Sequence, residues 1–142
     1  MNIYEWLEQP ERIDALIAGK LAEHQQLMDL ATNITSISDG MPHGKGAVPQ
    51  KIQDIAVKLA ELSKDIDKLV DGLVDKKREI VATLEQLPPN EYLILHKHYI
   101  EYKTWEQVAD EMRYSTVHIW RLKQKAYNNL QRILQNVIVC NG

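Results

Sequence analysis

The sequence predicts an all-α fold: an N-terminal antiparallel helical hairpin of coiled-coil character, then a C-terminal helix-turn-helix domain. Three observations carry this expectation. Apolar residues recur at steps of three and four from Ile52 onward. A twelve-residue stretch, "SDGMPHGKGAVP", separates that pattern from an earlier helical one. Near the C-terminus, two short helical patterns are joined by only three residues, "RYS". The expected division is residues 1–87 for the hairpin and 88–142 for the helix-turn-helix.

The first helix is marked by Ile13, Leu16, Ile17, Leu21, Leu27, Met28, Ala31 and Ile34, which form an apolar stripe with charged and amide residues between them. The stretch 38–49 follows, with three glycines and two prolines, a composition that neither helix nor sheet accepts. The chain should turn back there through a connector, in which His43 and Lys45 are candidate contacts to DNA or a partner. The second helix, roughly residues 50 to 86, carries Ile52, Ile55, Leu59, Leu62, Ile66, Leu69 and Leu73, a heptad seam whose later half is interrupted by Lys76 and Thr83. The two stripes bury each other within one chain, serve a partner chain, or do both. The expected assembly is a homo-oligomer, with a dimer favoured.

Pro88-Pro89 ends the long helix, because each proline removes a backbone donor and pushes the preceding residue out of the helical region. A third helix should start at Pro89-Asn90, with Leu93, Leu95, His96, Tyr99 and Ile100 at its apolar positions and a stop near Tyr102-Lys103. Thr104 then fits an N-cap, with Gln107 completing a capping box, and Val108, Ala109 and Met112 face inward. Ser115 caps the next helix, whose inward positions are Ile119, Leu122, Ala126 and Leu130. Two helices this close must cross with a small side chain at the contact, which Ala109 supplies. Arg113 stands where a left-handed backbone is needed and glycine is usual, at a cost on the order of 1 kcal/mol.

Net charge of the whole chain is −3, but it is unevenly spread. Residues 1–87 hold 10 Lys+Arg against 15 Asp+Glu, whereas residues 88–142 hold 7 against 5. Glu111 is the last carboxylate side chain, and Arg113, Arg121, Lys123, Lys125 and Arg132 follow it. Cationic charge is thus concentrated in the helix-turn-helix, where a polyanion would bind. Subtracting the inward stripe of the second helix leaves Thr116, Val117, Trp120, Arg121 and Gln124 as candidates for reading base edges. Arg bonds to guanine O6 and N7, Gln to adenine, and Val or Thr methyls meet the thymine methyl. Lys103, Thr104, Arg113, Ser115, His118, Lys123 and Lys125 are the candidate phosphate contacts, which orient without specifying.

The stretch "PNEYLILHKHYIEYKTWEQVADEMRYSTVHIWRLKQKAYNNL" resembles region 4 of sigma factors, including the step from Ala126 to Leu130. The whole chain, with its early "EWL", "ATNITSISD" and the heptad helix, is similar to small phage and prophage transcriptional regulators of the RinA/ArpU type. That resemblance implies activation of phage late genes, with double-stranded DNA and RNA polymerase as partners and with Thr116, Val117, Trp120 and Arg121 at the DNA-contact positions. Sigma factors are more basic on this helix and carry polar residues where Val117 and Trp120 stand. The sigma promoter element therefore does not transfer.

Competing readings are a DNA-packaging adaptor resembling small terminase subunits, and an interaction protein that contacts RNA polymerase without binding DNA. Catalysis is not expected: there is no glycine-rich phosphate cradle and no nucleophile elbow, and no carboxylate pair falls in a region that reads as a cleft. His96 and His98 lie two apart on a helix, about 200° around its axis, so no metal site is expected, and no cofactor is implied. One cysteine, Cys140, precludes a disulfide within the chain. No apolar run reaches the roughly 18 residues that span a bilayer, and the start "MNIYEWLEQPERID" lacks a signal pattern, so no membrane contact and a cytoplasmic location are expected.

Overall fold

A computed structural model describes the backbone of residues 2–38 and 50–141, and the side chains of 2–34 and 50–136. Most of the expected 38–49 connector, with His43 and Lys45, lies outside the described residues, as does the Cys140 side chain. Five α-helices are present among the described residues, with no strand: α1 (Ile3–Ser38), α2 (Gln50–Leu84), α3 (Pro89–Leu95), α4 (Trp105–Met112) and α5 (Thr116–Asn141). A π-helical turn, His96–Ile100, directly follows α3. The fold is all-α, as its apolar periodicity predicts.

Two compact units form. One is residues 13–72, made of the middle of α1 and most of α2; the other comprises 1–12 and 73–142. In the first, α1 and α2 run antiparallel. Lys20 Nζ lies 3.6 Å from Asp65, and Glu23 and Leu27 border the same shallow depression as Lys58, Glu61, Leu62 and Asp65. All seven seam residues from Ile52 to Leu73 are buried or half-buried, while every residue between them is exposed. Their partner is α1 of the same chain, so the candidate oligomer seam is used within the hairpin.

The facing stripe on α1 differs from the expected one. Half-buried positions fall at Ile13, Ile17, Lys20, His24, Leu27, Ala31 and Ile34, an unbroken heptad, with Asp14 half-buried beside the first of them, whereas Leu16, Leu21 and Met28 are exposed. The spacing decides which residues face α2, and two of those positions happen to be polar. Lys20 remains there because its long stem lies along the apolar seam and its ammonium reaches Asp65.

The second unit is organised around one core. Leu7 of α1, Ile80 and Leu84 of α2, and Leu87 pack with Ile94, Leu95, Tyr99, Val108, Ile119, Leu122, Ala126, Tyr127 and Leu130. The packing unit therefore begins before the expected 87/88 boundary and includes the start of the chain. Asn2 opens α1 as an N-cap, its Oδ1 accepting from the Glu5 backbone at 2.8 Å.

In α3 the inward residues are Glu91, Ile94 and Leu95, and Leu93 points out, contrary to expectation. Ile94 and Leu95 share the buried side of α3 with Glu91, and the π turn that follows carries Tyr99 into the core with Ile100 packed against it. Glu91 is buried yet satisfied, because Asn129 Nδ2 of α5 donates to its Oε1 at 2.8 Å.

Candidate nucleic-acid interface

Both caps form at the expected residues. Thr104 Oγ1 accepts from the Gln107 backbone at 3.1 Å and Gln107 Oε1 accepts from the Thr104 backbone at 2.9 Å, a reciprocal capping box. Ser115 Oγ accepts from the His118 backbone at 3.1 Å and starts α5. Between them, Arg113 adopts φ 58° and ψ 41°. The Tyr114 backbone donates to the Ala109 carbonyl at 2.9 Å and that of Arg113 to Asp110 at 3.2 Å, a paired termination of α4 that needs the left-handed residue. The turn keeps its ordinary geometry and Arg113 carries the strain.

That turn sets α5 against the core through Ile119, Leu122, Ala126 and Leu130, all buried. One face must then point away. Thr116, Val117, Trp120, Arg121 and Gln124 all lie on it and are exposed, with Val117 at 59% and Trp120 at 60%. Trp120, Arg121 and Gln124 border one open depression together with His118 and Lys125. The five candidate base-reading side chains thus share one surface.

The candidate phosphate contacts divide into two groups. Arg113, His118 and Lys125 are exposed around that face, His118 with its ring edge-on to Tyr114 at 4.4 Å. Thr104 and Ser115 use their hydroxyl oxygens as caps, which leaves each O–H free to donate. Lys103 and Lys123 are drawn into the protein's own contacts. Lys103 Nζ lies 2.7 Å from Glu111 and 3.2 Å from Glu101, and Lys97 Nζ lies 3.0 Å from Glu111. The Glu111 carboxyl is held below the usual range, first by Lys103 and then by Lys97. Glu101 is lowered too, first by its hydrogen bond with His96 at 2.9 Å.

Lys123 Nζ sits 4.4 Å above the Trp105 ring, and burial lowers its pKa. His98 is stacked with Trp105, ring centroids 4.1 Å apart. Its Nδ1–H donates to the Lys103 carbonyl at 2.6 Å, which fixes the tautomer. Burial pushes its pKa below the ordinary value, and the positive charge of Lys123 adds to this. This stack ties the π turn, α4 and α5 together, and it was not legible beforehand because its members come from three elements. The same holds for the buried Tyr99–Tyr127 hydroxyl pair at 2.7 Å, where burial drives both phenols upward in pKa. No group of His, Cys, Asp and Glu side chains suited to a metal ion occurs among the described residues, and no described helix is long and apolar enough to cross a membrane.

A family model described as "Protein of unknown function (DUF1492)" matches residues 33–131. The chain belongs to the DUF1492 family. The matched DUF1492 span runs from the end of α1 through α2, the π turn and the helix-turn-helix into α5, so the candidate interface lies inside it. No curated protein and no solved structure matches this DUF1492 chain.

Proposed function

We propose that this DUF1492 chain is a sequence-specific reader of double-stranded DNA that regulates transcription, with α5 as its recognition helix. The observation that carries the reading is the outward face of α5. Arg121, Gln124, Val117 and Trp120 are exposed together, at the N-terminal half of a helix whose other face is locked into the core by a capped helix-turn-helix. Arginine and glutamine at such positions match the donor and acceptor pattern of the major groove, and the valine methyls match thymine. Activation of phage late genes, with RNA polymerase as a protein partner, rests on the resemblance to RinA/ArpU-type regulators and sigma region 4.

The electrostatics support duplex DNA over a protein partner. No carboxylate side chain follows Glu111, and Glu111 itself is matched by Lys97 and Lys103, while Arg113, Arg121 and Lys125 stay exposed. Binding should weaken linearly in log affinity against log salt, because each neutralised phosphate releases counterions. Fluorescence anisotropy on a labelled random-sequence duplex at several salt concentrations tests this. A Lys125→Ala variant should lower the slope by about 1. Absence of binding at low salt by the folded protein would refute DNA recognition.

A further inference from the structure

The hairpin carries a second heptad stripe on each helix, turned away from the seam. On α1 it is Ala18, Leu21, Gln25, Met28 and Thr32; on α2 it is Gln53, Ala56, Ala60, Ser63, Asp67 and Val70. Both step by three and four, and every member is exposed, Leu21 at 51% and Met28 at 43%. In an antiparallel pair these two stripes flank the seam on the same side. The opposite side holds Glu23, Lys58, Glu61 and Asp65. Charge is therefore partitioned across the hairpin: one broad face is charged along its length, and the other has its two carboxylates, Asp67 and Asp14 (one step before Ala18), together at one end.

We propose that this face, uncharged except at one end, binds the same face of a second copy of the chain, forming a four-helix dimer. Shape favours a second copy over an unrelated partner. The α1 stripe supplies large side chains, Leu21 and Met28, and the α2 stripe supplies small ones, Ala56, Ala60 and Ser63. The register set by Lys20 and Asp65 brings Met28 level with Ala56 and Ala60, and Leu21 level with Ser63. A two-fold axis parallel to the helices lays α1 of each copy over α2 of the other and keeps those levels. Each large side chain then enters the gap left by small ones, as an isologous interface requires. The face is about 28 Å long, from roughly 19 residues of helix at 1.5 Å each, and about 20 Å wide. It would bury roughly 1,100 Å² in total, at the lower edge of stable interfaces, which implies a dimer of micromolar strength.

Sedimentation equilibrium of the full chain, without DNA, tests this over about 1 to 200 μM. The expected mass rises with concentration from 16.4 kDa towards twice that value. Leu21→Glu on α1 and Ala60→Arg on α2 should each hold the chain at the monomer mass, and Glu61→Lys on the charged side should leave the dimer unchanged. In the monomer all three positions are exposed, so each variant should fold, with helicity by circular dichroism as the check. A wild-type chain that stays monomeric throughout overturns the proposal, and so does a dimer that persists in both interface variants. Because no DNA is present, the result is separate from that of the DNA-recognition test.

Discussion

Arg121 and Arg113 hold different places at the candidate interface. Arg121 stands on the outward face of α5, where two parallel donors can meet a guanine. Its replacement by alanine should cost about 1–3 kcal/mol of binding to the preferred site and relax the preference at one base pair, measured by competition titration. Arg113 occupies a left-handed position that an L side chain enters at a cost of about 1 kcal/mol. Arg113→Gly should therefore raise the denaturant midpoint while weakening DNA affinity at low salt, a trade of stability for charge. If the variant gained stability with no loss of affinity, Arg113 would not contact phosphate. His98 gives a pH signature. Its folded pKa lies below the unfolded value near 6.5, so the unfolded chain binds more protons between the two and stability falls as pH drops through that window. Thermal midpoints measured from pH 7.5 down to about 5 should show this decline, and His98→Gln should flatten it.

At the level of elements, the caps were legible from sequence and the packing of α3 was not. Thr104 with Gln107, and Ser115 with the helix after it, act over three residues, so local spacing is enough. The register of α3 buries Glu91, Ile94 and Leu95 and turns Leu93 outward, and a helix of seven residues holds too few apolar positions for its periodicity to fix that face. On α1, an expected stripe built on apolar residues alone differs from the strict heptad that forms, which includes Lys20 and His24 and leaves out Leu16, Leu21 and Met28. The ion pairs at the end of α4 carry a further prediction. Lys97 and Lys103 are both held by Glu111, across contacts exposed enough that screening makes them weak. Glu111→Gln should release Lys97 and leave Lys103 paired with Glu101 alone, tightening non-specific DNA binding and steepening its salt dependence by about 1. An unchanged slope would mean that Lys97 does not reach the phosphates.

For the whole molecule, the expected all-α class describes the chain, and its packing units do not follow the break at Pro88. Leu7 lies in the same core as Leu130, together with Ile80, Leu84 and Leu87. Nothing local in "MNIYEWLEQP" signals that partnership, because contacts between residues so far apart leave no periodicity in either segment. Leu7→Ala should destabilise the helix-turn-helix by about 2–5 kcal/mol, read from denaturation followed by the fluorescence of Trp105 and Trp120. The candidate surface on α5 was more legible than the core that holds it, since subtracting an amphipathic stripe leaves the outward residues directly. The most direct test of DNA reading is selection from a random duplex pool at two salt concentrations, with Arg121→Ala alongside. An enriched motif in the wild type that is lost or relaxed in the variant is the predicted result. A folded wild-type protein that enriches no motif at either salt would contradict it.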